Sequence, residues 1–321
     1  MMNKKAYVFL AATVFLTAGW KSDEVKPVSW KKQTAYLSSV QDPRRYGYSI
    51  YETPAGIEYR GGCRLHANQG GKFSMKADEP LRPVIALRRS YGFQSPVLLD
   101  FCSAASWMEF DLAQTLGAKP VGETKPPVIK CPGDEIAGCL SVIPTIRLDQ
   151  IYIENPLVYV RMAAGPLGLL ARGIDDPSPK GVLGWDLLKK FDQIHLDYAE
   201  ERVALFTPSP RPSPYMCDPA MLIARVPLVK HAAACSVRGA VDGKESLILI
   251  DPAGDFEVAT DGAAAVTSVQ LDADLLFSAP EVTKSVGGTR IGARLLRKFK
   301  ITVCPQDGAI YFEKPESGKA E

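Results

Sequence analysis

From Arg82 onward the chain runs as short apolar stretches cut by Pro, Gly, Asp and Asn, a rhythm of strands and turns rather than of helices. Residues 143–162, IPTIRLDQIYIENPLVYVRM, show it best. Ile146 and Leu148, then Ile151 and Ile153, then Leu157 and Val158 mark successive strands, with turns at Asp149-Gln150 and Asn155-Pro156. Two stretches drive an apolar run into a carboxylate: PVLLD ends at Asp100 and LILID at Asp251. A single strand ending in Asp is ordinary turn chemistry, since Asp readily starts turns and helices. Its repetition asks for a second reading. One segment breaks the strand rhythm: GWDLLKKF places Leu188 and Phe191 at helical spacing and predicts a short helix, followed by strands in QIHLDY and RVALF.

Residues 207–219, TPSPRPSPYMCDP, hold five prolines and no apolar period, and read as a linker. Beyond this linker the chain echoes its earlier part. RPVIAL at 82 is matched by RVPLVK at 225, PVLLD by LILID, and GVLGWDLLKKF from 181 by GTRIGARLLRKF from 288. In the last pair Gly184 answers to Gly292, Leu188 to Leu296 and Phe191 to Phe299, all at one offset. Conserved order and spacing of three elements predicts two homologous lobes, residues 81–206 and a shortened 225–313, joined by a Pro-rich linker over 207–224. Residues 20–80 lack a sustained helical period and read as an N-terminal extension with a few strands; 314–321 form a polar tail.

Composition narrows the function. A chain of 321 residues with 46% hydrophobic and 23% charged residues is an ordinary globular protein long enough for two cores. A formal charge of +2 and no basic run interleaved with aromatics argue against nucleic acid as a partner. Residues 1–19 match the pattern of a secretory signal peptide: Lys4 and Lys5, then an apolar stretch from Ala6 to Leu16, then Thr17, Ala18 and Gly19. The expected destination is periplasmic or extracellular, with membrane contact only through an uncleaved signal segment. Export permits disulfides, and CPGDEIAGC makes Cys131 and Cys139 the pair easiest to propose. The seven cysteines form no CxxC motif, and His66, His195 and His231 stand apart, so neither a metal nor a cofactor is expected.

Two lobes related by a twofold, each ending a buried strand in Asp, can bring Asp100 and Asp251 face to face. Two such carboxyls share a proton, one form activating water while the other polarises a carbonyl. VLLDFCSAAS with LAQTLG, GVLGWDLLKKFDQIHLDY and IPTIRLDQIYIENPLVYV resemble the active-site strand, the apolar-apolar-Gly loop with its helix, and the connecting strands of the retropepsin-like aspartic proteases. Two such units in tandem are similar to the bilobal pepsin arrangement. The resemblance implies an all-β, two-lobed acid-protease fold with Asp100 and Asp251 at the positions of the catalytic pair.

The departures fall on the motif itself. Family members place Thr and Gly after the Asp, the hydroxyl tying the loops across the lobes and the Gly giving an N–H to the carboxylate. Here Phe101 and Cys102 come after Asp100, and Pro252 and Ala253 after Asp251. Both hydroxyls are gone, both glycine positions carry a Cβ, and Pro252 has no N–H. Preorganised hydrogen bonds of this kind are worth orders of magnitude in rate. The reading is therefore a non-catalytic, aspartic-protease-like protein that binds a peptide or protein in the cleft between its lobes. Two others stay open: an active aspartic endopeptidase using Asp100 and Asp251, and a structural component of an exported assembly. Residues 119–143 are the segment that could supply a flap over the cleft.

Overall fold

The computed structural model describes residues 26–315 except 54–55, 76–81, 89–93, 123–127, 131–136, 165–178, 211–214, 216, 231, 262–264 and 285–286. The signal-peptide pattern, Cys131 and His231 therefore lie outside the described residues. Among those residues no helix is long and apolar enough to cross a membrane.

The turns read from the sequence are present. Strands Thr145–Leu148, Ile151–Glu154 and Leu157–Arg161 succeed one another, and Asp149 and Asn155 adopt left-handed backbone with φ of 51° and 50°. Asp and Asn take that conformation at lower cost than other residues with a Cβ, which is why they mark these corners.

Each Asp terminates the same arrangement of strands. In the first lobe, strand Gln94–Leu99 pairs antiparallel with Val84–Arg88 and parallel with Gly181–Leu183, which in turn pairs antiparallel with Trp107–Glu109. In the second, strand Lys244–Asp251 pairs antiparallel with Ser236–Val241 and parallel with Thr289–Gly292, which pairs antiparallel with Val258–Thr260. The returning strand thus inserts between the Asp strand and the one after it in both lobes. A short helix comes after each insertion, Trp185–Leu188 and Ala293–Leu296, with Gly184 and Gly292 as N-caps in nearly identical extended conformations.

Between the lobes lies a six-stranded sheet to which each half gives three strands. Gln193–Asp197 and Lys300–Cys304 meet antiparallel at its centre, with Ile194 opposite Val303 and His195 opposite Thr302. Arg202–Phe206 and Ala309–Glu313 flank them. Gly70–Ser74 and Leu222–Pro227 form the two edges. The protein is all-β and bilobal, as the resemblance implies.

Two elements depart from the sequence reading. RVPLVK does not occupy the place of RPVIAL: its strand lies at the edge of the central sheet, where Gly70–Ser74 is the counterpart, while Val84–Arg88 is matched by Ser236–Val241. An apolar run beside Arg and Pro carries no mark of which neighbour it will pair with. Residues 26–75, read as an extension, are stitched into the first half. Lys26–Pro27 pairs with Ala163–Ala164, Arg64–Leu65 with the strand Ile151–Glu154, and a helix spans Trp30–Leu37. That helix buries Tyr36 alone, whose hydroxyl donates to Ser141 Oγ at 3.0 Å, so its sequence has no apolar period to read.

Candidate functional site

The strand ladders deliver the two carboxylates to the lobe junction. Asp100 N–H donates to Leu183 O at 3.0 Å, and Asp251 stands opposite Gly292 in the second ladder. Both residues are wholly buried. One carboxylate oxygen from each and Cys102 Sγ lie within 4.8 Å of one another. Asp100, Asp251 and Cys102 are thus brought together at the lobe junction.

The loop after Asp100 keeps more of its hydrogen bonding than its residue types suggest. Cys102 N–H and Ser103 N–H both donate to Asp100 Oδ1, at 2.8 and 3.0 Å. An N–H belongs to the backbone, so replacing glycine by cysteine retains the donor as long as the Cβ finds room. Cys102 Sγ donates to Ile250 O, the carbonyl just before Asp251, at 3.4 Å, and Phe101 O accepts from Cys235 N–H at 2.8 Å. Two hydrogen bonds therefore cross between the lobes at this level, one of them from the Cys102 thiol. Phe101 turns away from the tight loop into the main core, its ring 5.8 Å from that of Trp185.

The loop after Asp251 is held differently. Gly254 N–H closes back on Asp251 O at 3.1 Å. Pro252 is buried, and Ala253 is fully buried in an apolar cluster with Val84, Leu98, Trp107 and Val182 of the first lobe. The second loop thus docks by contact on the face of the first lobe that carries Asp100, since Leu98 and Asp100 alternate onto one side of their strand.

Around this centre the helix starts are pinned in parallel fashion. Trp185 N–H donates to Ser103 O at 2.7 Å and Ala293 N–H to Gly254 O at 2.8 Å. In the first lobe Ser106 Oγ accepts from Gly184 N–H at 3.0 Å and donates to Asp186 Oδ1 at 2.8 Å. Burial pushes the Asp186 carboxyl above its ordinary range, and the Ser106 hydrogen bond pulls the other way. Behind Asp251 the Tyr198 phenol is raised above its ordinary range, first by burial and then by the charge of Asp251.

A residue that the sequence reading passed over completes the site. Arg290 Nη1 lies 3.8 Å from Asp251 Oδ2, its side chain only 12% exposed. It sits in TRIG, where the first lobe has GVLG, so a charged residue in an apolar-apolar-Gly signature was the available signal. Asp100, Cys102 and Asp251 offer the oxygen and sulfur donors a small cation would take; the Arg290 guanidinium already brings positive charge to that place, and we assign no metal there. Cys139 is a free, buried thiol, 3.6 Å from Ser141 Oγ and pushed up to about 12 by burial. No disulfide is present among the described residues, so the expected bridge from Cys139 to Cys131 is not supported. Within residues 119–143, strands Val128–Lys130 and Ala137–Val142 pair as a hairpin whose turn lies outside the described residues.

No protein-family profile and no curated protein matches the chain. Among solved structures it is similar to the crystal structure of basic 7S globulin from soybean, at 11% identity and a TM-score of 0.45, over 77% of this chain and 95% of that one.

Proposed function

We propose that this chain is an exported, aspartic-protease-like protein, built by internal duplication, that has given up proteolysis and acts by binding a peptide or protein at the boundary of its lobes. The observation that carries the reading is the state of the carboxylates: Asp100 and Asp251 are both 0% exposed, and Arg290 stands against the second. A dyad that cleaves peptides must reach a substrate carbonyl and hold a water between its carboxyls. A ligand near the boundary would meet the strand that ends at Asp251. Leu247, 53% exposed, shares a face of that strand with Asp251 by alternation, and is the apolar side chain at which contact with a partner is tested.

The test uses the purified chain. Incubated with a denatured protein at acidic pH it is expected to leave the substrate intact, and a labelled unfolded polypeptide is expected to bind saturably, by fluorescence anisotropy, in both wild type and Leu247→Ser, more weakly in the variant. Cleavage that disappears in Asp100→Ala and in Asp251→Ala overturns the reading. The second reading, an active endopeptidase, draws on one observation: the two backbone N–H groups at Asp100 Oδ1 still support a carboxylate as a working loop would.

A further inference from the structure

The helix Trp30–Leu37 buries one side chain, Tyr36, and leaves Trp30 in solvent at 66% exposure, the most exposed large apolar side chain among the described residues. Its surroundings are basic. Residues 26–46 carry Lys26, Lys31, Lys32, Arg44 and Arg45 against a single acid, Asp42, in a chain of net charge only +2. Residues 20–25 give back one of those charges through Lys21, Asp23 and Glu24. The strand Lys119–Pro120 adds Lys119, which lines a groove of about 440 Å³ together with Lys32, Ser39 and Gln114. Asp111 stands a turn before Gln114 on the helix Phe110–Thr115. The Asp42 carboxylate is taken by Arg44 at 3.4 Å, and among the described residues no carboxylate pairs with Lys26, Lys31, Lys32 or Lys119.

Lysines without carboxylate partners around an exposed indole match the headgroup layer of a membrane better than they match water. An indole places its apolar body and its N–H at that boundary, and lysine stems lie along apolar surface while the ammonium reaches a phosphate. We propose that residues 26–37 and Lys119 form a docking face for an anionic phospholipid bilayer. Trp30 enters the headgroup layer, Lys26 and Lys31 lie against lipid phosphates, and the groove between Lys32 and Lys119 seats one headgroup, with Ser39 and Gln114 as further hydrogen-bonding groups. Two features point to a bilayer over a soluble anion. The indole gains only where there is apolar material to enter. The apolar stretch at 6–16 ends ten residues before Lys26, a span of at most about 35 Å, so the face is within reach of any bilayer that this stretch enters. The inference goes beyond the proposed function and stands whether or not Asp100 and Asp251 cleave a substrate.

The experiment is co-sedimentation of the purified full chain with vesicles of phosphatidylglycerol or of phosphatidylcholine. Wild type is compared with the double variant Lys31→Gln with Lys32→Gln, and with Trp30→Ser. All three keep the same residues 1–29, so the apolar stretch contributes equally to each. Wild type is expected to partition more strongly onto phosphatidylglycerol, with the excess lost at high salt. The double variant should bind phosphatidylglycerol about thirtyfold more weakly and phosphatidylcholine as wild type does. Trp30→Ser should also bind phosphatidylglycerol more weakly, with its salt dependence unchanged. Equal binding of wild type and double variant to phosphatidylglycerol overturns the proposal. So does inorganic polyphosphate that displaces the vesicles and binds Trp30→Ser as well as wild type, a result that makes the face a site for a soluble anion. The substituted side chains are all exposed, so Tm is expected to hold in each variant. Should the double variant lose stability, Lys119→Gln, on a separate strand, carries the same test with a loss of about fivefold.

Discussion

Cys102 stands where a retropepsin-like loop has glycine, and its side chain and its backbone do separate jobs. The backbone N–H holds Asp100; the thiol reaches across to Ile250 O. A thiol is a weak donor, so a hydroxyl of similar size serves the same carbonyl at least as well. Cys102→Ser is expected to keep stability within about 0.5 kcal/mol of wild type, while Cys102→Ala loses about 1 kcal/mol, read from urea unfolding midpoints. The missing Thr hydroxyls and glycines are plain in the sequence, and they imply a loop stripped of its support. In the structure Asp100 Oδ1 nonetheless accepts from two backbone N–H groups. Residue type reports side chains, whereas Asp100 is held by backbone donors that any residue but proline provides, and the direction of the Arg290 guanidinium is set by packing that no local pattern encodes.

Among the elements, the returning strands and their helices are the most legible part of the fold. GVLG and TRIG each have to end in glycine because the chain passes within contact of the Asp loop. A Cβ on Gly184 would lie 2.4 Å from Ala105 O, and one on Gly292 would lie 2.3 Å from Phe256 O. These are backbone atoms that cannot swing aside. Gly184→Ala and Gly292→Ala are each expected to cost about 2 kcal/mol or more, seen as a fall in Tm, although neither glycine has a positive φ. The same constraint explains why these two glycines anchor the repeat in the sequence. The helix Trp30–Leu37 and the edge strands of the central sheet are not legible for the opposite reason. The helix buries one side chain and so leaves no periodic trace; the edge strands bury Phe73, Ala224 and Val226 in alternation, but alternation does not say which neighbour a strand will pair with.

At the scale of the molecule, the central sheet joins the halves and carries a titratable group. His195 Nδ1 lies 3.1 Å from Thr302 Oγ1 and its Nε2 3.1 Å from Gln193 Oε1. Thr302 leads on to Glu313, which accepts from Tyr215 OH at 2.6 Å. Burial, then the charges of Lys300 and Lys72, bring the His195 imidazole down to about 4. The folded protein therefore resists a proton that the unfolded chain accepts near pH 6.5. This histidine makes unfolding easier as pH falls from about 6.5 to about 4, with a slope of at most about 1.4 kcal/mol per pH unit, and has no further effect below. In His195→Gln that part of the acid-side decline in Tm is expected to vanish. An unchanged profile would mean that the ring accepts its proton without penalty.

The meeting of Gln193–Asp197 with Lys300–Cys304 also imposes an order on how the chain comes into being. Synthesis completes the hairpin Gln193–Phe206 about a hundred residues before its partner strand exists. Until then the nascent first half shows a bare sheet edge of alternating Ile194 and Leu196, which is a template for any other extended chain nearby. The partner that finally covers this edge is the chain's own last hairpin, so the C-terminal strands serve the first half as a built-in chaperone.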